Sequence, residues 1–342
     1  MNFTLEQITH LIGGKLEGSK DTKVNTISSI ENAEEGSISF ISNPKYEPLI
    51  YKTRASAVIV DEKLILNKSI TTPLIRTVDP YAAFTSLLEA YDQLLSFDKN
   101  GIEEPSFVHK TSSLGSGIYV GAFAYIGSNV KIGNQVKIYP NAYIGDNVTI
   151  GDRSIIHSGV KIYAKSVIGS NCTLQAGAVI GSDGFGYAPL DDGTYKKIPQ
   201  LGNVILEDHV DIGANTVIDC ATFNTTLIKK GVKLDNLIQI GHNTMIGENT
   251  VIAAQTGVAG SVKIAENCKI GGQVGIAGHL KIAAKTQIQA QSGVSKNTKL
   301  EQTIYGTPAI EFNNYLRSYT IFKKLPDIMK QIETIEEKLL NL

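Results

Sequence analysis

Tryptophan is missing from this 342-residue chain, and cysteine and methionine occur only three times each. Cys172, Cys220 and Cys268 are too few, and odd in number, for a disulfide framework, which points to a reducing compartment. Neither sign of charge prevails: 32 Lys+Arg against 33 Asp+Glu leave a net charge of −1. That balance lacks the basic footprint of a nucleic-acid binder, so no nucleic-acid partner is expected, nor a long charged tail. No apolar run reaches the roughly eighteen residues of a membrane span, so none is expected. The opening stretch MNFTLEQITHLIGGKLEG has no continuous apolar core of the kind a signal peptide needs, and a cytoplasmic location is expected. His, Cys and carboxylates show no metal-ligand spacing, so no metal site is expected.

What the chain does have is 32 glycines and a six-residue repeat. From Val108 through Leu114 and Val120 to Ile180, every sixth residue is Ile, Leu or Val, often followed by glycine, with a small residue at the fifth position. The register restarts at Leu206, Ile212 and Ile218, slips by four, and runs again from Ile228 to Leu300. A period of six suits neither an amphipathic helix nor a simple alternating strand. It suits short strands joined by tight turns, three strands to a triangular coil, with Gly or Asn in the turns accepting positive φ. Stacked at the inter-strand spacing, about nine to ten such coils make a prism roughly 45 Å long. Cys172 and Cys268 fall at the fifth position and read as small corner fillers. Residues 182–203 break the period and are expected to project as a loop, the usual carrier of function on a rigid scaffold.

Residues 1–100 lack the repeat and read as a small α/β domain. TLEQITHLIGG is expected to form a helix ending at glycine, Ala55–Val60 a buried strand, and Pro80 to open a further helix. Residues 101–305 form the prism. From Pro308, residues 306–342 are expected to be helical, and IMKQIETIEEKLLNL has the heptad-like apolar spacing of helices that pack between subunits.

Five segments carry a more specific message: SISFISNPKY (Ser37–Tyr46), SDGFGY (Ser182–Tyr187) with KIPQLGNV (Lys197–Val204), KLDNLIQIGHNT (Lys233–Thr244), GIAGHLKI (Gly275–Ile282) and GTPA (Gly306–Ala309). In this order, and over essentially the whole chain, they resemble the UDP-3-O-(3-hydroxyacyl)glucosamine N-acyltransferases of bacterial lipid A biosynthesis. The resemblance implies a mainly β fold, a left-handed parallel β-helix of hexapeptide repeats with an N-terminal α/β domain and C-terminal helices. It implies a homotrimer that takes a 3-hydroxyacyl chain from acyl carrier protein and places it on the 2-amino group of UDP-3-O-acylglucosamine, with no cofactor beyond the carrier's phosphopantetheine arm. By the same resemblance His242 is the general base, Gly260 offers an N–H to the oxyanion, and His279 supports the substrate phosphate or the carrier arm. Phe40, Asn43 and Tyr46 match a uridine site, in which aromatics stack a base while an amide reads its edge.

The chemistry fits the residue types. Acyl transfer to an amine needs the amine neutral, and histidine can take its proton near neutral pH. His242 and His279 differ by 37 residues, two coils plus one, which puts both near one prism edge about 10 Å apart within one subunit. Whether one site draws both from one subunit or from two stays open. Arg317, Lys323 and Lys324 would suit an acidic carrier protein. Gly293 and Ser295, at positions where relatives can carry Met, are expected to leave an acyl groove open to chains of more than about fourteen carbons, each further methylene being worth about 0.8 kcal/mol when buried. One departure stands out: Asp219-Cys220-Ala221 lies where the family commonly has Asp-Arg-Gly or Asp-Arg-Ala, which removes a fixed charge. Two other readings compete, an acetyl-CoA-dependent hexapeptide transferase acting on a nucleotide sugar and a non-catalytic solenoid scaffold.

Overall fold

A computed structural model describes residues 2–96 and 99–340. The chain divides into two units, Met1–Lys99 and Asn100–Leu342, so the helical extension groups with the prism.

The first unit is a five-stranded sheet with a core on both faces. Strands Thr26–Ile27, Ser37–Ile41, Ala57–Asp61 and Leu74–Thr77 run parallel, and Lys15–Glu17 closes the edge antiparallel to Leu74–Thr77. Alternation along the third of these assigns Ala57 and Ile59 to one core and Val58 and Val60 to the other. Helix α1 (Leu5–Ile12) starts at a capping box, Thr4 with Gln7, and stops at Gly13, whose φ of 67° completes a left-handed cap. Helix α2 (Glu47–Ile50) is a single turn, and α3 (Pro80–Ser96) begins at the expected proline. The buried strand starts two residues later than the sequence suggested, at Ala57.

The second unit is a parallel solenoid whose three faces hold nine, twelve and ten strands. The first face runs from Ser113–Leu114 to Lys281–Ile282, the second from Gly101–Ile102 to Ile310–Glu311, and the third from Phe107–Val108 to Gly293–Val294. Coils pair eighteen residues apart, as in Ile132 beside Ile150 and Ile240 beside Val258. Both the aliphatic and the fifth position point inward, so Cys172 and Cys268 lie with the isoleucines in one continuous core. Burial of such a column, at about 1.5–3 kcal/mol per large aliphatic, replaces the sheet-on-sheet core of an ordinary β domain.

The turns refine the role expected of glycine. The left-handed residue is three positions after the aliphatic and is more often asparagine than any other type, as at Asn129 and Asn147 (φ 55° and 59°). The glycine directly after the aliphatic serves close stacking instead: a Cβ at Gly213 would sit 2.3 Å from the Asp235 carbonyl carbon of the next coil.

Two expectations near the C-terminus are corrected. Leu300 does not join the core and is exposed, so the first face ends at Ile282; residues 295–302 shorten the coil, and the next buried aliphatic is Ile304, which pairs with Ile288 on the second face. Pro308 does not begin a helix. The chain first turns at Gly306 and lays Ile310–Glu311 antiparallel on Thr303–Tyr305. Only then do α4 (Phe312–Phe322) and α5 (Leu325–Leu340) follow, with Glu311 capping Asn313 and Asn314 N–H. The last two residues of the heptad-like stretch lie outside the described ones.

Candidate active site

The corner between the third and first faces carries every interruption of the repeat. At this corner Ile180 is followed by the 182–203 segment, Ile218 by a four-residue insertion, and Ile240 by His242. The first interruption is a β-hairpin, Tyr187–Pro189 paired with Tyr195–Lys197. Pairing skips across each insertion and resumes, Ile168 beside Leu206 and Leu206 beside Ile228, so the prism continues beneath.

His242 lies between two glycines that leave room for its ring. A Cβ at Gly184 would approach the His242 Cβ to 2.7 Å, and one at Gly260 would approach Nε2 to 2.6 Å. The half-buried imidazole opens into a cavity of about 620 Å³ that is also lined by Phe185, Tyr187 and Lys197 of the hairpin and by Asp219, Gln239 and Gly260 of the prism. Its Nδ1 is 3.0 Å from Asn243 Oδ1. Asp183 and Lys197 pair at 2.5 Å across the neck of the hairpin, and this pairing raises the Lys197 pKa. Asp219 is buried, with its carboxylate accepting from Ser182 Oγ (3.1 Å) and Gln239 Nε2 (3.0 Å). Burial pushes its pKa up, against the opposing pull of those two hydrogen bonds and of His242.

The Gly260 N–H bears on chemistry because it stands beside His242. Two residues after the aliphatic, the backbone N–H is taken up at several levels by a side chain of the next coil. Ser128 N–H donates to Asp146 Oδ1 (2.6 Å) at this same corner, and Ser170 and Ala214 N–H donate to Asp208 and Asn236 at the others (2.7 Å each). One coil above Gly260 stands Gly278, which has no side chain to offer, and among the described residues the Gly260 N–H donates to nothing. An open donor thus sits beside His242 Nε2.

His279 is on the same corner, its N–H bonded to Gly260 O (3.2 Å), but its side chain is exposed and outside the cavity lining. In the first unit, half-buried Phe40 stacks on Phe84 at 4.0 Å, Tyr46 is exposed, and Asn43 Oδ1 caps the turn after it by accepting from Lys45 N–H. Cys220 sits in the prism core, with its pKa raised by burial, so this position contributes packing where an arginine would contribute charge. Gly293 is not open: a Cβ there would meet Thr307 at 3.0 Å, and it is Gly257 and Gly275, below it on the same face, that border empty space. Sequence did not point to Asn243, Gly184 or Gly278 as site residues, and it marked Asp219 only within the Asp219-Cys220-Ala221 departure. The eighteen-residue step from 242 to 260 to 278 was the available signal for Gly278. No cluster of three or more His, Cys, Asp or Glu able to hold a metal occurs among the described residues, and no described helix is long and apolar enough to cross a membrane.

Comparison with known proteins bears on both units. The family model for UDP-3-O-(3-hydroxymyristoyl) glucosamine N-acyltransferase, LpxD, matches residues 21–90, and bacterial transferase hexapeptide repeats match 129–164 and 147–182. A UDP-3-O-acylglucosamine N-acyltransferase of Cytophaga hutchinsonii is 64% identical, over 100% of this chain and 98% of that protein. One from Christiangramia forsetii is 58% identical over 100% of both. Among solved structures, LpxA from Acinetobacter baumannii is 21% identical with a TM-score of 0.51, covering 62% of this chain and 73% of that one. That likeness carries the fold, a left-handed parallel β-helix.

Proposed function

The chain belongs to the UDP-3-O-acylglucosamine N-acyltransferase family, and from that premise we propose that it moves a 3-hydroxyacyl chain from acyl carrier protein to the 2-amino group of UDP-3-O-acylglucosamine, a step of lipid A biosynthesis. The observation that carries the mechanism is the juxtaposition of His242 Nε2 with the open Gly260 N–H at the cavity wall.

His242 Nε2 takes a proton from the acceptor's amine, whose lone pair attacks the thioester carbonyl carbon. The carbonyl oxygen becomes anionic and accepts a hydrogen bond from Gly260 N–H. Collapse breaks the carbon–sulfur bond, and the imidazolium returns its proton to the departing thiolate, so no acyl-enzyme forms. General-base catalysis supplies about 10²–10⁴ in rate, and one preorganised oxyanion donor about 10²–10³.

Phe40, Asn43 and Tyr46 hold the uridine, and His279 meets a phosphate of the substrate or the carrier arm. The acyl group arrives on the carrier's phosphopantetheine, and exposed Arg317, Lys323 and Lys324 of the α4 region suit that acidic partner. The working unit is a homotrimer in the cytoplasm, where the carrier protein is available. The exposed apolar stripe of α5, including Leu325, Ile332, Ile335 and Leu339, supports assembly, since its spacing follows the heptad of packed helices.

The test is incubation with UDP-3-O-acylglucosamine and 3-hydroxyacyl carrier proteins, with the N-acylated product read by mass. His242→Ala should lower kcat by about 10²–10⁴ while leaving folding and assembly intact. A variant with near wild-type kcat overturns the assignment of the base.

A further inference from the structure

Between Ile218 and Ile228 the chain spends ten residues on a step that takes six in an uninterrupted coil. The extra residues stand one coil below His242 at the same corner, since Val217–Asp219 leads into them and its pairing partner Gln239–Ile240 leads into His242. They are held from beneath by the base of the hairpin. Leu201 N–H donates to Thr222 O (3.0 Å), Gly202 N–H to Ala221 O (2.9 Å), and Thr222 Oγ1 to Gln200 Oε1 (2.9 Å).

So anchored, the insertion presents one backbone donor and one backbone acceptor to the coil above, and the Asn243 amide seats on both. Its Oδ1 accepts from Thr222 N–H (3.1 Å), and its Nδ2 donates to Phe223 O (2.9 Å). A flipped amide would put NH₂ against an N–H and a carbonyl against a carbonyl, so one orientation survives. The atom facing His242 Nδ1 at 3.0 Å is therefore an acceptor. An acceptor at Nδ1 requires the ring hydrogen there, which leaves the lone pair on Nε2.

We infer that Asn243, clamped by the 221–224 insertion, is a positioning residue that holds His242 in the Nδ1–H tautomer with Nε2 free to accept the substrate's proton. The inference rests on the base role proposed for His242. It also explains why the insertion belongs at this corner and this level: a plain turn one coil lower would offer no donor and acceptor pair to orient the amide. Asparagine suits the position twice, since its φ of 60° is left-handed.

Two variants respect that backbone. Asn243→Gly keeps the left-handed turn and deletes the amide, and Asn243→Asp keeps the acceptor. With Asn243→Gly, kcat should fall by at least about tenfold, the worth of one ordinary hydrogen bond, with KM little changed. Asn243→Asp should retain more turnover, and its acidic limb in the kcat profile should move to higher pH, because a carboxylate at Nδ1 favours the imidazolium. Asp219, Asp183 and Lys197 also face His242, and His279 stands two coils on; all are common to every variant, so the difference between profiles reports position 243. Independently of activity, ¹⁵N-histidine-labelled full-length protein should show a His242 resonance pair with Nδ1 protonated and Nε2 bare, assigned by its loss in His242→Ala. A protonated Nε2 in the wild type, an unchanged kcat in Asn243→Gly, or a wild-type pH profile in Asn243→Asp overturns the inference. Full turnover by His242→Ala overturns instead the base role beneath it.

Discussion

If Gly260 N–H stabilises the oxyanion because Gly278 leaves it uncapped, then supplying the missing cap should silence it. Gly278→Asn supplies the kind of side chain that caps this N–H in several other coils. At the same corner Asp146 reaches Ser128 N–H at 2.6 Å, and at the other two corners Asn134 and Asn236 reach Ser116 and Ala214 N–H at 3.0 and 2.7 Å. The new amide oxygen should take up the Gly260 donor over a similar distance, and a thioester oxyanion would have to displace it. Loss of one oxyanion donor costs about 2.7–4 kcal/mol in the transition state, or 10²–10³ in kcat. Gly278→Ala separates capping from bulk: its Cβ would stand 3.4 Å from Gly260 O and 3.9 Å from Ala259 Cβ, an ordinary fit, so its kcat should stay near wild type. Steady-state kinetics on both variants, with melting curves to show that the prism is intact, make the comparison. Equal kcat in the Asn and Ala variants would refute the reasoning.

Three other outcomes follow from the geometry. Phe40→Ala with Tyr46→Ala should raise KM for the uridine substrate with less effect on kcat, and an unchanged KM would leave Phe40, stacked on Phe84, with packing alone. Burial raises the Asp219 pKa, so between its unfolded and folded values the native state holds the extra proton and stability falls as pH rises. Asp219→Asn should therefore melt higher than wild type near pH 7, with the gap closing below the usual carboxylate range; a gap independent of pH would refute the sign. Ile332→Asp, placing a charge on the exposed stripe of α5, should lower the assembled mass in light scattering, and an unchanged mass would detach that helix from assembly.

The prism was legible because its rule is local. Two of every six residues point inward, and the core admits only aliphatic or small side chains there, so the period survives in the sequence even where the 182–203 hairpin interrupts it. Leu300 shows the limit of that legibility: it keeps the period yet leaves the core, because the coil shortens after Val294 and nothing in the hexad records a change of coil length. The strand at Ile310–Glu311 is two residues long and depends on the turn at Gly306, below the reach of propensity. At the active site, His242 was found from the segment around it, but Asn243 was not. Its partners Thr222 and Phe223 lie about one coil back, inside an insertion that breaks the very period by which neighbours are identified.

The antiparallel strand at Ile310–Glu311 has a consequence for solubility. A parallel stack ends in open backbone donors and acceptors, and every coil is a template for the next, so a solenoid with a bare end invites a second molecule to continue it. Here the chain doubles back on Thr303–Tyr305 and occupies the edge of one face with its own strand, running in the direction that a continuing coil would not match. The helices begin at once afterwards, and their backbone groups are satisfied within themselves. Growth of the stack is thus terminated by the polypeptide itself. A chain cut after residue 305 would keep the catalytic corner and lose this terminator, and its characteristic failure would be end-to-end fibre formation rather than unfolding.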